Sequence, residues 1–307
     1  MARAWLAFGY DLTLNVAPLF MNTSPFDYDA LMAHARPEQQ RAYDVAKVQL
    51  YGVGIGLGLD PLDGAQLKYL RDENPKILPS FATVAAFDVE FKLQLGVDWS
   101  KLIHASQRLT VYRPLPPAAE FMVRSKIHGA FDKPSINATL LVARTEMLID
   151  GEPVAELEAV SLARDFRVNG APLGSPEALP VPPSREPDSS VFTPTSPQVA
   201  LVYRLLGGRS LIHCEPEVAR AQGFQGPIMH GLSTWGHACY AVVSGACAGD
   251  SDQLLSFAAN FTAPTYPGET LCTQLWFEED GVHFETRSTE RDVVVLGNGF
   301  ARCANPR

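Results

Sequence analysis

Short of cysteine, of basic charge and of long apolar runs, the 307-residue chain excludes several classes of protein at the outset. Its five cysteines, Cys214, Cys239, Cys247, Cys272 and Cys303, form no C-x-x-C pair and no close-set framework. Neither a disulfide-stapled scaffold nor a cysteine zinc site is expected, and a reducing, cytoplasmic setting is. Lys and Arg number 25 against 34 Asp and Glu, a net charge of −9. Phosphate backbones need a concentrated basic surface, so nucleic acid is not an expected partner. Nowhere do roughly eighteen apolar residues run together, which argues against a membrane span. The opening MARAWLAFGYDLTLN is too broken by Gly, Asp and Asn for a secretory core, and the closing Asn-Pro-Arg does not match the peroxisomal address.

What is there is the balance of a globular protein, 46% hydrophobic and 19% charged. Residues 169–197, NGAPLGSPEALPVPPSREPDSSVFTPTSP, crowd proline and serine without period and read as a semi-extended linker between parts 1–168 and 198–307. Each part presents an apolar helical stretch and then strands rich in β-branched and aromatic residues. In the first, AYDVAKVQLYGVGIGLGL is the expected helix, glycine-rich and able to pack closely. RLTVYR, EFMVRSKIHGAF, INATLLVARTEMLID and EPVAELEAVSLARDF are its strands. In the second, MHGLSTWGHACYAVVSGACA precedes LLSFAANFTA, ETLCTQLWFEED, VHFETRSTER and VVVLGNGFARC. Asp150-Gly151 and Asp280-Gly281 signal hairpins, and PLPPAAEF at 114–121 parallels PTYPGETL at 264–271. One supersecondary unit is used twice. The expected class is α+β, with an antiparallel sheet wrapped around a helix in each half and the two sheets paired edge to edge.

Several motifs have plain readings. GVGIGLG at 52–58 lacks the strand-then-helix setting of a dinucleotide fingerprint, and helix packing is preferred. GLSTWG at 231–236 misses nucleophile-elbow spacing, which leaves Ser233 a helix-packing serine. His230 and His237 share a helical face, but no further ligand completes a zinc set, so no metal is expected. His34, His104, His128 and His283 are read as structural or surface residues.

The segment 207-GGRSLIH-213 stands apart. His213 follows an apolar pair and precedes Cys214-Glu215-Pro216-Glu217, whose proline and acids suit a helix start. Its two readings are a catalytic base and a buried, hydrogen-bonded core histidine. Further on, PIMHGL places Gly231 at the start of the central helix. Free N–H groups and the positive dipole end there suit a developing oxyanion, unless Gly231 is only the loop-to-helix residue.

From about residue 43 onward the chain resembles the MaoC-like dehydratases, and within them the type 2, (R)-specific enoyl-CoA hydratases of double hot-dog fold. The matching stretches are YDVAKVQLYGVGIGLG, DWSKLIHASQRLTVYRPLPP, SPQVALVYRLLGGRSLIHCEPEVARAQGFQGPIMHGLSTWGHA and FTAPTYPGETLCTQLW. The family motif, roughly Y-R-L-S-G-D-x-N-P-L-H followed by A-G-F-x-x-P-I-L-H-G-L, falls on Tyr203, Arg204, Gly207 and His213, then on His230 and Gly231. Its aspartate falls on Gly208, its asparagine on Ser210 and its proline on Leu211.

The resemblance implies His213 as acid/base, Ser210 helping to place water and the Gly231 N–H polarising a thioester carbonyl. Tyr203, Arg204, Gly208, His230 and Gly231 would contact substrate. It implies an acyl-CoA or acyl-carrier thioester as partner, no cofactor beyond CoA as part of the substrate, a place in fatty acid metabolism, and a homodimer or a heteromer with a related subunit. It also implies a first half loosened to admit an acyl tail. The missing aspartate keeps two alternatives open. One is a non-catalytic thioester binder or inactive subunit; the other is thioester hydrolysis with a carboxylate from elsewhere, Glu215 and Glu217 being nearest in sequence.

Overall fold

The computed structural model describes residues 26–305 apart from 89, 90, 92, 93 and 209. The N-terminal apolar run and the final Pro306-Arg307 considered above lie outside the described residues. A short parallel pair, β1 (Phe26–Asp27) with β7 (Val168–Asn169), stands beside the main sheet. From the first half that sheet takes β2 (Gln39–Tyr43), β3 (Leu102–Val111), β4 (Ala119–Lys133), β5 (Ala138–Ile149) and β6 (Glu152–Arg164). From the second it takes β8 (Ser189–Pro194), β9 (Leu254–Phe261), β10 (Thr270–Glu278), β11 (Gly281–Ser288) and β12 (Val293–Cys303).

The strand order is β2-β4-β5-β6-β3-β9-β12-β11-β10-β8, ten strands in one sheet. It reads as the same unit run outward in both directions from a central seam, β3 against β9, where Ser106 faces Asn260 and Leu109 faces Phe257. The two sheets are thus joined edge to edge in the manner expected.

The strands follow local chemistry. Asp150 and Gly151 both take left-handed conformations (φ 55° and 80°), as a two-residue turn between twisted strands requires. The second hairpin turns one position earlier than the Asp280-Gly281 signal suggests: Glu278 pairs with Gly281, leaving Glu279-Asp280 as the loop. Within the span read as a linker, 189-SSVFTP-194 finds a partner in β10 and becomes an edge strand, the counterpart of β2.

The helices differ between halves. Helix α1 (Tyr28–Ala33) is peripheral and α2 (Val45–Gly54), capped by the Asp44 side chain, is shorter than the 42–59 expected. Gly52 and Gly54 serve close packing, since a Cβ on Gly54 would touch the Tyr203 ring at 3.2 Å. Gly56 and Gly58 instead leave the helix at φ 80° and 81°, a conformation the periodic reading did not anticipate. Short helices α3 (Gly64–Leu67) and α4 (Ala82–Ala85) complete this layer.

In the second half α5 (Val199–Tyr203) and α6 (Pro216–Ala221) precede the central helix α7 (Gly231–Ala246), buried continuously from Ser233 to Val243. It stops where Ala248 and Gly249 turn left-handed and the Gly249 N–H donates to the Val243 carbonyl. Trp235, Phe257 and Phe284 form the aromatic centre between helix and sheet, with centroids 4.7 and 4.8 Å apart. All five cysteines are free, though the Cys247 and Cys303 sulfurs lie 2.7 Å apart where α7 and β12 end.

Candidate active site

The segment 227-PIMH-230 reaches α7 as an extended strap held on both sides. The Ile228 N–H donates to the Ile212 carbonyl at 3.2 Å, and the Met229 N–H to Thr265 at 2.8 Å. His213 Nδ1 then meets the Ile228 carbonyl at 2.9 Å. A carbonyl only accepts, so Nδ1 carries the proton and Nε2 is left with its lone pair, the form of a base. The strap brings His230 directly against His213, with ring centroids 3.6 Å apart and planes 24° from parallel. The Tyr203 ring lies 5.0 Å from His230 on another side.

The electrostatics keep both rings neutral. Burial holds His213 below the usual imidazole value; the Ile228 carbonyl opposes this and the Arg204 charge reinforces it. Burial, then His213 and Arg204, push His230 down to about 3. Burial likewise raises the Tyr203 phenol. The charge acting on the pair is therefore a cation. Glu215 and Glu217, the carboxylates nearest in sequence, are exposed, and Glu217 pairs with Arg220 at 2.9 Å.

The other expected site residues gather here unevenly. Gly208 lies against His230, and Gly231 opens α7 with the Phe261 ring 3.2 Å from where its Cβ would stand. Ser210 begins the turn of His213 and touches it through the backbone, its carbonyl 3.5 Å from the His213 N–H. His237 does not join His230 on one helical face, because His230 is the residue before the helix. Instead His237 Nδ1 meets the Ser233 carbonyl at 2.8 Å and Nε2 faces Gly56. Ser233 packs as read, its hydroxyl donating to the Gly54 carbonyl at 2.9 Å. His104, one of the histidines with a structural or surface reading, packs on Phe261 at 4.6 Å across the seam and so backs the Gly231 wall.

A cavity of about 450 Å³ lies elsewhere, among Arg108, His128, Arg144, Glu156 and Glu158 of the first half. Its charges satisfy one another, Arg144 and Glu158 at 3.0 Å and Arg108 and Glu158 at 3.6 Å. Volume alone does not make it the reaction site, and the converging imidazoles carry more weight. Among the described residues no group of three or more His, Cys, Asp or Glu side chains is arranged to hold a metal ion. No described helix is long and apolar enough to cross a membrane.

The buried histidines make stability depend on acid. An unfolded histidine titrates near about 6.5, whereas His230 and His237 fall to about 3 and about 4 in the fold. Their neutral forms contribute fully above the unfolded value, and that stability is lost as pH falls below it, by about 2 kcal/mol for each at pH 5. Melting temperature at pH 7.5 and 5.0 checks this: the parent drops, and His237→Gln shows a smaller drop than the parent.

The chain is similar to known proteins over most of its length. Residues 179–298 match the MaoC like domain and residues 42–165 the MFE-2 hydratase 2 N-terminal domain. The enoyl-CoA hydratase ChsH3 of Mycobacterium tuberculosis is 34% identical over 282 residues, covering 90% of this chain and 98% of that one. The peroxisomal enoyl-CoA hydratase 2 of Arabidopsis thaliana is 31% identical, covering 89% and 94%. Among solved structures, a MaoC-like dehydratase from Phytophthora capsici superposes with a TM-score of 0.78 at 27% identity, over 90% of this chain and 98% of that one.

Proposed function

Because the chain belongs to the MaoC-like dehydratase family, with the two-part build of its enoyl-CoA hydratases, we propose that it hydrates trans-2-enoyl thioesters and dehydrates the corresponding 3-hydroxyacyl thioesters at the His213–His230 pair. The observation that carries this reading is the Nδ1 anchor of His213 on the Ile228 carbonyl, which frees Nε2 as a base beside the start of α7.

In hydration His213 Nε2 takes a proton from water as the oxygen bonds to C3. The π pair moves to C2 and charge builds on the thioester oxygen. That oxygen is met by the Gly231 N–H at the positive helix end. The His213 proton then goes to C2, and dehydration runs the same steps backward. Ser210, Tyr203 and Arg204 border the substrate, with Ser210 helping to place the water. The reaction needs no cofactor, and CoA enters as part of the substrate.

The short α2 supports a first half adapted to the acyl tail. The crevice beside it, lined by Val48, Tyr51, Gly52, Leu57, Ile77 and Leu78, holds only about 10 Å³. A bulky tail enters there by parting these side chains. Five free thiols support a reducing, cytoplasmic setting, and the position of β2 and β8 as the outermost strands of the sheet supports a homodimer or a pairing with a related subunit.

The second reading is a thioester binder without turnover, favoured by the glycine at 208 and by the cationic rather than anionic partner of the imidazoles. Following the enoyl-thioester absorbance of crotonyl-CoA and of a longer-chain enoyl-CoA separates the two. Loss of the band, with its return from the 3-hydroxyacyl-CoA, supports hydration. Calorimetric binding with an unchanged band supports the binder, and release of free CoA thiol points to hydrolysis.

A further inference from the structure

Position 208 is where the family resemblance puts a carboxylate, and the glycine there has left a space that another side chain uses. A Cβ on Gly208 would stand 2.6 Å from His230 Nε2 and 2.9 Å from its Cδ2, well inside ordinary nonbonded approach. The backbone does not demand this glycine, since Gly207 beside it takes the left-handed turn at φ 120°. What a side chain at 208 would meet is the imidazole of His230 as it lies in this chain, where the family motif carries the aspartate and this histidine together.

That imidazole is itself unusual. It is 8% exposed, and neither ring nitrogen has a hydrogen-bond partner among the described residues. A buried polar group left unsatisfied is destabilising, so a water or a substrate atom is the natural partner. The titratable and charged groups facing it are His213, Tyr203 and Arg204.

We infer that His230 takes over the place and the polar role of the absent carboxylate, so that this chain works with two stacked imidazoles instead of an aspartate and a histidine. The inference deepens the hydratase reading of the same site and rests on it for its chemical half; its steric half stands alone. In the step, one water O–H bond breaks and its proton goes to His213 Nε2. The oxygen bonds to C3, the π pair of C2=C3 moves to C2, and the proton is returned there. His230 exchanges only hydrogen bonds: its unprotonated nitrogen accepts the second O–H of the water and fixes the direction of attack. It ends each cycle as neutral as it began.

Two measurements on the full chain test this. The first is a melting cycle of Gly208→Ala, His230→Ala and the double variant. Gly208→Ala lowers the melting temperature in the parent and lowers it less, or not at all, once the ring is gone. An equal loss in both backgrounds overturns the exchange of space. The second is the kinetics of crotonyl-CoA hydration. His230→Ala lowers kcat by about tenfold or more with KM held within a few-fold, since positioned groups act on the transition state. His230→Asn recovers part of the loss.

Gly208→Asp gains nothing while His230 is present, whereas Gly208→Asp with His230→Ala rises above His230→Ala alone. An unchanged kcat in His230→Ala, or a gain from Gly208→Asp with His230 in place, overturns the inference. A parent that hydrates no enoyl thioester sinks the function and the chemical half together, while the melting cycle still decides the steric half.

Discussion

Replacing His213 by alanine lowers the rate of enoyl-thioester hydration by about a hundred- to ten-thousandfold, the range a positioned acid or base contributes. The protein keeps its fold, because the side chain makes one backbone hydrogen bond at the rim of the core and lies outside the main apolar cluster. The loss falls on kcat more than on KM, since Nε2 acts on the proton in flight. The pH profile of the parent supplies the matching evidence. His213 is held below the ordinary imidazole value by burial and by Arg204. Activity therefore persists below pH 6.5, where a solvent-exposed histidine would already be protonated, and falls only when Nε2 is occupied. A His213→Ala protein that hydrates crotonyl-CoA at the parental rate would move the base to another residue.

The second large effect is structural. Trp235 sits in the second turn of α7, fully buried, with Phe257 of β9 behind it at 4.7 Å and Phe284 stacked beyond at 4.8 Å. Trp235→Ala opens a cavity no neighbour can close and costs about 3–5 kcal/mol. For a chain of this size the melting point drops on the order of 10 °C. Trp235→Phe loses less than half of that. The same cavity lies beneath the turn that presents Gly231, so hydration slows at temperatures where the protein is still folded. Calorimetry together with the enoyl-CoA assay reads both effects, and an alanine variant that melts within 2 °C of the parent, on the scale just given, would refute the packing argument.

Much of this architecture is legible in local chemistry. Alternating β-branched strands, Asp-Gly turns and a long apolar stretch behind His-Gly suffice for an α+β sheet wrapped on α7, because those signals depend on neighbours in sequence. The end of α2 is not legible, since Gly52 through Gly58 repeat evenly and only the fold decides that Gly54 packs on Tyr203 while Gly56 turns left-handed. Strand β8 hides in proline-rich sequence because its stabilising partner, β10, lies far along the chain.

At the candidate site, motif alignment points to His213, His230, Gly208 and Gly231, which lie together in the fold. It does not reveal that the strap at Ile228 stacks the two imidazoles, nor that the missing side chain at 208 and the ring of His230 are two sides of one steric fact. The contact of Phe261 with His104 is not legible in sequence, since the two meet only across the seam.

The seam has a consequence for how the molecule comes apart. Ser106 through Thr110 are zipped to Ser256 through Asn260 in the middle of the sheet, beneath the aromatic centre. Parting the halves would bare two long strand edges at once, surfaces that stick to any partner at hand. A half-open state in which the two parts separate at the seam is therefore disfavoured, because it exposes both edges together. A nascent chain meets the same condition in reverse, because the first half waits with β3 uncovered until β9 has left the ribosome.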